Sequence, residues 1–212
     1  DGVSVAYRKM SVRVPAVSIY NGDFFGKQLR IGLELVALGV DSGYVKEDVP
    51  IDRFVDPLGD DPVPAVVATR LLEIYNKTFA PVRSLPQLGP AMIVGFTLPV
   101  EFNRSYVAAA ASGPTTKTSA QLVGVSPRGL IAGLTIPFDS AVRINRQSGV
   151  DSETLSGVAL LARSPADVPQ IVAAVKAMGF GVDDQEQRLA ENVGAAVTII
   201  TTALALLSLL IC

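Results

Sequence analysis

The chain has 212 residues, with 18 Lys and Arg against 20 Asp and Glu and a formal net charge of -2. That balance gives no field that would draw nucleic acid or an anionic membrane surface. Histidine and tryptophan are absent and Cys212 is the single cysteine, which excludes an internal disulfide, a Cys/His zinc site and any histidine-dependent nucleophile.

Residues 11–20 are rich in β-branched side chains and read as a strand. Asn21-Gly22-Asp23 is a turn signal. Residues 28–38 alternate, with Leu29, Ile31, Leu33 and Leu35 on one face and Arg30 and Glu34 on the other. The two strands are expected to form an antiparallel pair. Residues 48–62 hold three prolines among Asp and Gly and read as loop.

A short strand is expected over 63–68, then a helix over 70–76 capped by Thr69, with Leu71, Leu72 and Tyr75 as its apolar face. Residues 79–90 read as irregular, because Pro81, Pro86 and Pro90 interrupt them. Strands follow at 91–98 and 100–109, a Ser/Thr loop at 112–116, and a strand at 118–126. Asp139 is a fair N-cap for a helix over 140–146.

Residues 155–163 read as a strand. Ser164-Pro165-Ala166-Asp167 then reads as a helix start, with Ser as cap and Pro in the first turn. Pro169 moves the true start a residue or two later. Ile171, Val172, Val175 and Met178 form the helical face, Gly179 is a C-cap, and 180–182 opens a further strand. This is a β-α-β pattern.

Charged residues make up 18% of the chain, below the soluble average of about 25%. The 21-residue stretch 192–212 carries none, and about 20 apolar residues span a bilayer as a helix. Before it stand Asp183, Asp184, Glu186 and Glu191 against Arg188 alone. Cytoplasmic flanks are usually rich in Lys and Arg. Residues 1 to about 190 are therefore expected outside the cytoplasm, in a piece of a longer polypeptide.

Little in the sequence points to chemistry. Neither glycine-rich phosphate loop is present. Asp60-Asp61 and Asp183-Asp184 read as solvated turns, without the spacing of a calcium loop. Lys117 reads as a solvated loop residue. Asn76-Lys77-Thr78 and Asn103-Arg104-Ser105 are formal glycosylation sequons and read as chance matches. Phe24, Phe25, Tyr75, Phe79, Phe96 and Phe102 are spaced too irregularly for a nucleic-acid platform. Most of these aromatics read as core, with Phe24-Phe25 as a candidate exposed contact.

The order of segments resembles the periplasmic core domain of the MacB/FtsX-type ABC transporter permeases. The resemblance runs through Gly39-Val40-Asp41, V-P-A-V-V-A-T-R-L-L-E-I-Y-N at 63–76, A-Q-L-V-G-V at 120–125 and I-P-F-D-S-A-V-R-I-N at 136–145. It continues through L-S-G-V-A-L-L-A-R-S-P-A-D-V at 155–168 and Gly179-Phe180, and then the charge-free stretch. The chain departs from the pattern in its proline-rich stretches at 48–62 and 79–90, which bears on the substrate more than on the fold.

The resemblance implies an α+β fold of two subdomains. A β-α-β, porter-like module would be built from 1–45 and 150–190, and an inserted, mostly-β subdomain would span 46–149. A transmembrane helix would start at 192–212. The resemblance also implies a bacterial inner-membrane protein with this domain in the periplasm. It would have no catalytic residues, cofactor or metal, and would not be an enzyme. The expected partners are a cognate ABC ATPase acting through the rest of the permease, a second permease copy or homologue, and a periplasmic adaptor or lipoprotein carrier; nucleic acid is not among them. The domain would transmit the motion of ATP hydrolysis to a substrate at the periplasmic face. The alternative is the ligand-binding or sensor domain of a single-pass membrane protein. Loops on a rigid scaffold usually carry binding. Residues 136–145 and the loops at 48–62 and 79–90 are the expected docking regions, with Phe24, Phe25, Pro137, Phe138 and Arg143 as the candidate contact residues.

Overall fold

The computed structural model describes residues 5–106, 114–150, 155 and 157–182. It opens with a long hairpin, β1 (Val5–Phe24) and β2 (Lys27–Val40), in antiparallel register from Ser11↔Val40 to Phe24↔Lys27. The chain reverses at Phe25-Gly26, where φ is +52° and +78°. Paired positive φ values suit the two-residue turns whose twist matches that of the strands. Gly26 adopts this conformation without strain, and its N–H donates to Asp23 Oδ1 at 3.1 Å. The expected turn residues Asn21 and Gly22 lie inside β1 instead.

After a loop with short 3-10 turns at Ser42–Tyr44 and Ile51–Arg53 comes β3 (Val63–Ala68), all six residues of which are buried. A helical segment follows: α1 (Thr69–Ile74), a π turn at Tyr75–Phe79, α2 (Ala80–Arg83) and α3 (Pro90–Ile93). The remaining elements of the main body are β4 (Thr97–Phe102), β5 (Thr116–Ser126), β6 (Gly133–Pro137) and α4 (Phe138–Gln147). The stretch 79–93 was expected to be irregular and then extended. It is instead partly helical, since proline is well placed in a first helical turn.

Six strands close on themselves. β1 pairs with β2, and β2 runs parallel to β6 with Val36↔Gly133 and Val40↔Pro137. β6 meets β3 antiparallel at Thr135↔Val66. β3 runs parallel to β5, with a bulge between Ala65 and Val66. β5 pairs antiparallel with β4, and β4 returns to β1 through Ala16↔Phe102 and Val17↔Glu101. β7 (Gly157–Ala162) lies next to β1 at the end of the sheet order.

The core is thus a closed six-stranded β-barrel with few helices. This corrects the expected fold of a β-α-β module with an inserted mostly-β subdomain. β1 and β2 were expected in the terminal module, but they form two staves of the same barrel as β3 to β6. Closure gives each of the six strands a neighbour on both sides, whereas an open module leaves its outer strands without one. The last strand of the expected β-α-β unit does not begin at 180–182, which belong to no strand; the residues beyond 182 lie outside the described ones. Among the described residues no helix is long and apolar enough to cross a membrane; the stretch 192–212 lies outside them.

The barrel interior is filled by Val14, Ala16, Val100, Phe102, Leu134 and Ile136, among others. A smaller cluster of Val40, Val45, Val49, Phe54 and Val66 lies under the loop that joins β2 to β3. Helix α4 buries Ser140, Ala141, Ile144 and Asn145. Its close approach to β2 requires a glycine at position 39, because a Cβ there would lie 2.3 Å from Ala141 Cβ.

Residues 7–161 form one compact unit. The described residues 5–6 and 162–182 belong to a second. In the second unit a 3-10 turn at Pro165–Asp167 leads into α5 (Val168–Ala177). Ser164 Oγ accepts from Ala166 N–H at 3.3 Å, so the expected cap is made, on the 3-10 turn. Gly179 takes φ +84° after the helix, as expected of a C-cap.

Candidate functional site

Phe24 and Phe25 sit at the end of the β1–β2 hairpin. Phe24 is half-buried, with Tyr20, Phe25, Tyr75 and Phe96 around it at ring-centroid distances of 6.4, 4.9, 6.3 and 5.6 Å. All four pairs stand nearly perpendicular, at 79–89°, the edge-to-face geometry that aromatic quadrupoles favour. Lys27 Nζ donates to the carbonyls of Arg83 and Ser84 at 2.9 and 2.7 Å. These contacts fasten the hairpin tip to the helical segment and leave Phe25 projecting, 48% exposed.

Pro137, Phe138 and Arg143 lie together where β6 passes into α4. Pro137 is buried and Phe138 is half-buried against the core. Arg143 faces the loop before β3: its Nη2 is 2.8 Å from Asp56 Oδ1 and its Nε is 3.0 Å from Asp56 Oδ2. Ser140 Oγ donates to the same carboxylate at 2.6 Å. Burial alone would raise the Asp56 carboxyl. Hydrogen bonds from Arg143 and Ser140, with the guanidinium charge, outweigh it and hold the group below the usual carboxylate range. Asp139, expected as a side-chain cap, stands in the first turn of α4 and makes no cap hydrogen bond; Pro137 occupies the N-cap position.

Beside this network a cleft of about 400 Å³ opens between the 59–61 turn, β5 and α4. Its lining includes Asp60, Asp61, Thr116, Lys117, Arg143 and Gln147. Lys117 lies on β5, not in the expected loop, and its Nζ is 3.7 Å from Glu101 Oε1. Glu101 also receives Arg104, and these hydrogen bonds and charges hold it below the usual carboxylate range. Sequence reading noticed Asp60, Asp61 and Lys117 separately as solvated residues, and it had no signal that the barrel gathers them. It passed over Asp56 and Gln147, and it placed Thr116 in a loop where the structure has the first residue of β5.

Other charged groups brace loops. Ser126 Oγ donates to Asp48 Oδ2 at 2.7 Å, and Arg128 pairs with Glu47 and Asp48. Glu34 accepts from Ser105 Oγ and Tyr106 N–H, which hold its carboxyl below the usual range. Both sequon asparagines are engaged. Asn76 bonds the backbone of Leu88 in both directions at 2.7 and 2.8 Å, and Asn103 is buried, donating to Ser148 Oγ at 2.5 Å. Among the described residues no three acids or thiols gather closely enough to hold a metal ion. Asp183-Asp184 lies outside them.

No protein-family model matches this chain, and no curated protein matches it.

Proposed function

We propose that this chain is the extracytoplasmic domain of a MacB/FtsX-type ABC transporter permease subunit. It would couple ATP hydrolysis by a cytoplasmic partner to export or extraction of a substrate at the outer face of the bacterial inner membrane. The observation that carries the reading is the end of the chain. The L-S-G-V-A-L-L-A-R-S-P-A-D-V segment and a helix stopped by Gly179 are followed by an acidic flank and a 21-residue charge-free stretch. The barrel is consistent with a mechanical part. Closed strand pairing makes a stiff body, and the hairpin tip is clamped by rings and by Lys27 while presenting Phe25.

A second reading, the ligand-binding domain of a single-pass sensor, is favoured by the polar cleft beside Arg143.

Orientation tests the ground that both readings share. In a Cys212→Ser background, a cysteine at Leu58, which is 87% exposed, should react with a membrane-impermeant maleimide in intact spheroplasts. Labelling only after lysis would remove the extracytoplasmic placement and the transporter reading with it.

A further inference from the structure

The cleft between the 59–61 turn, β5 and α4 sets opposite charges on its walls that do not neutralise each other. Asp60 and Asp61 are exposed and make no ion pair or side-chain hydrogen bond among the described residues, and neither does the amide of Gln147. The cations they might have met are turned elsewhere. Lys117 leans loosely on Glu101 at 3.7 Å. Arg143 commits Nε and Nη2 to Asp56, and its Nη1 has no hydrogen-bond partner among the described residues. Because Asp56 and Ser140 fix the guanidinium, its remaining edge is oriented in advance, which lowers the ordering cost of binding. Thr116, Thr118 and Ser119 add hydroxyls along β5.

We propose that this cleft binds a small zwitterion, a free α-amino acid or short peptide. Its ammonium group would lie toward Asp60 and Asp61, and its carboxylate toward Lys117 and the free edge of Arg143. Charge separation without direct pairing is what a ligand carrying both charges would complete. The volume of about 400 Å³ falls at the small end of ligand sites, roughly 300–1,000 Å³. The inference goes beyond both readings of the whole protein, since an exporter and a sensor could each use such a site. Maleimide labelling tests the placement and peptide titration tests the cleft, so the two can fail independently.

The test is calorimetric titration of the full chain in mild detergent with L-alanyl-L-alanine. N-acetyl-L-alanyl-L-alanine and L-alanyl-L-alanine amide serve as probes lacking one charge each. The expected result is saturable binding of the free dipeptide, with Kd of about 0.1–1 mM for so few atoms. Each blocked peptide should bind about tenfold more weakly, the scale of one charged hydrogen bond. The exposed double substitution Asp60→Asn with Asp61→Asn should weaken the free dipeptide about tenfold and leave the N-acetyl form unchanged. Lys117→Gln should do the same for the free dipeptide and spare the amide. Absence of saturation by about 10 mM would overturn the proposal, as would equal binding of all three peptides or indifference to both variants.

Discussion

Arg143 on α4 and Asp56 in the loop before β3 are joined by two nitrogens of one guanidinium on two oxygens of one carboxylate, at 2.8 and 3.0 Å. The pair links positions 87 residues apart in sequence. It anchors the proline-rich loop, whose Phe54 is buried against Val40, Val45, Val49 and Val66. Fork-on-fork geometry of this kind is specific to arginine.

Replacing Asp56 with Ala strands Arg143 and Ser140 in a partly buried position. The expected cost is about 1.5–3 kcal/mol, the range for hydrogen bonds to charged groups. Arg143→Lys should recover only part of the stability lost in Arg143→Ala, because an ammonium cannot engage both carboxylate oxygens in the same fork. Urea unfolding monitored by far-ultraviolet circular dichroism measures both, and full recovery by Lys would contradict the bidentate role.

The same pair makes stability depend on pH. The folded-state pKa of Asp56 lies below its unfolded value, which is about 3.9 for a free aspartate. In the interval between the two values the unfolded chain binds more protons than the folded one. The contribution of Asp56 is therefore complete above about pH 4–5 and is lost as pH falls through the folded pKa. Asp56→Asn should flatten this part of the acid-unfolding profile, as read by unfolding free energies between about pH 2 and 6. A profile parallel to that of the parent chain would assign the acid sensitivity to other carboxylates.

Gly124 on β5 tests the seating of the β2–β3 loop. A Cβ at that position would lie 2.5 Å from Val49 Cγ2. Gly124→Ala should cost about 1–3 kcal/mol by overpacking. Adding Val49→Ala should cancel part of that penalty, so that the double variant is more stable than additivity predicts. Strict additivity of the two unfolding free energies would place Val49 away from β5.

At the hairpin tip, Phe24→Ala should destabilise the chain by about 2–4 kcal/mol, somewhat under the value for a fully buried phenylalanine. Phe25→Ser should change stability by less than about 1 kcal/mol, since that ring is largely in solvent. Thermal unfolding separates the two, and a large loss for Phe25→Ser would make Phe25 a core residue and remove it as a contact.

Much of the local structure could be read from the residues. Alternation in 28–38 marks β2, and the apolar run at 63–68 marks β3, because strand periodicity and β-branching are local properties. Prolines mark the 48–62 loop for the same reason. The barrel could not be read this way. Val36 meets Gly133 and Ala16 meets Phe102, pairings that no short window contains. The Asn21-Gly22 signal misplaced the turn because tertiary packing of Phe24 with Tyr20, Tyr75 and Phe96 fixes the reversal at Phe25-Gly26. The cleft was hidden likewise: Asp60 and Lys117 each read as a solvated group until β3 and β5 were paired. Arg143 was singled out as a contact residue, and its partner Asp56 carries no local mark that sets it apart from the other loop acids.

The most direct test of the proposed function is affinity purification of the full-length protein from cells in mild detergent, with co-purifying subunits identified by mass spectrometry. The account predicts reproducible recovery of an ATP-binding-cassette ATPase. Its consistent absence from intact, folded preparations would contradict the transporter reading and favour the stand-alone sensor.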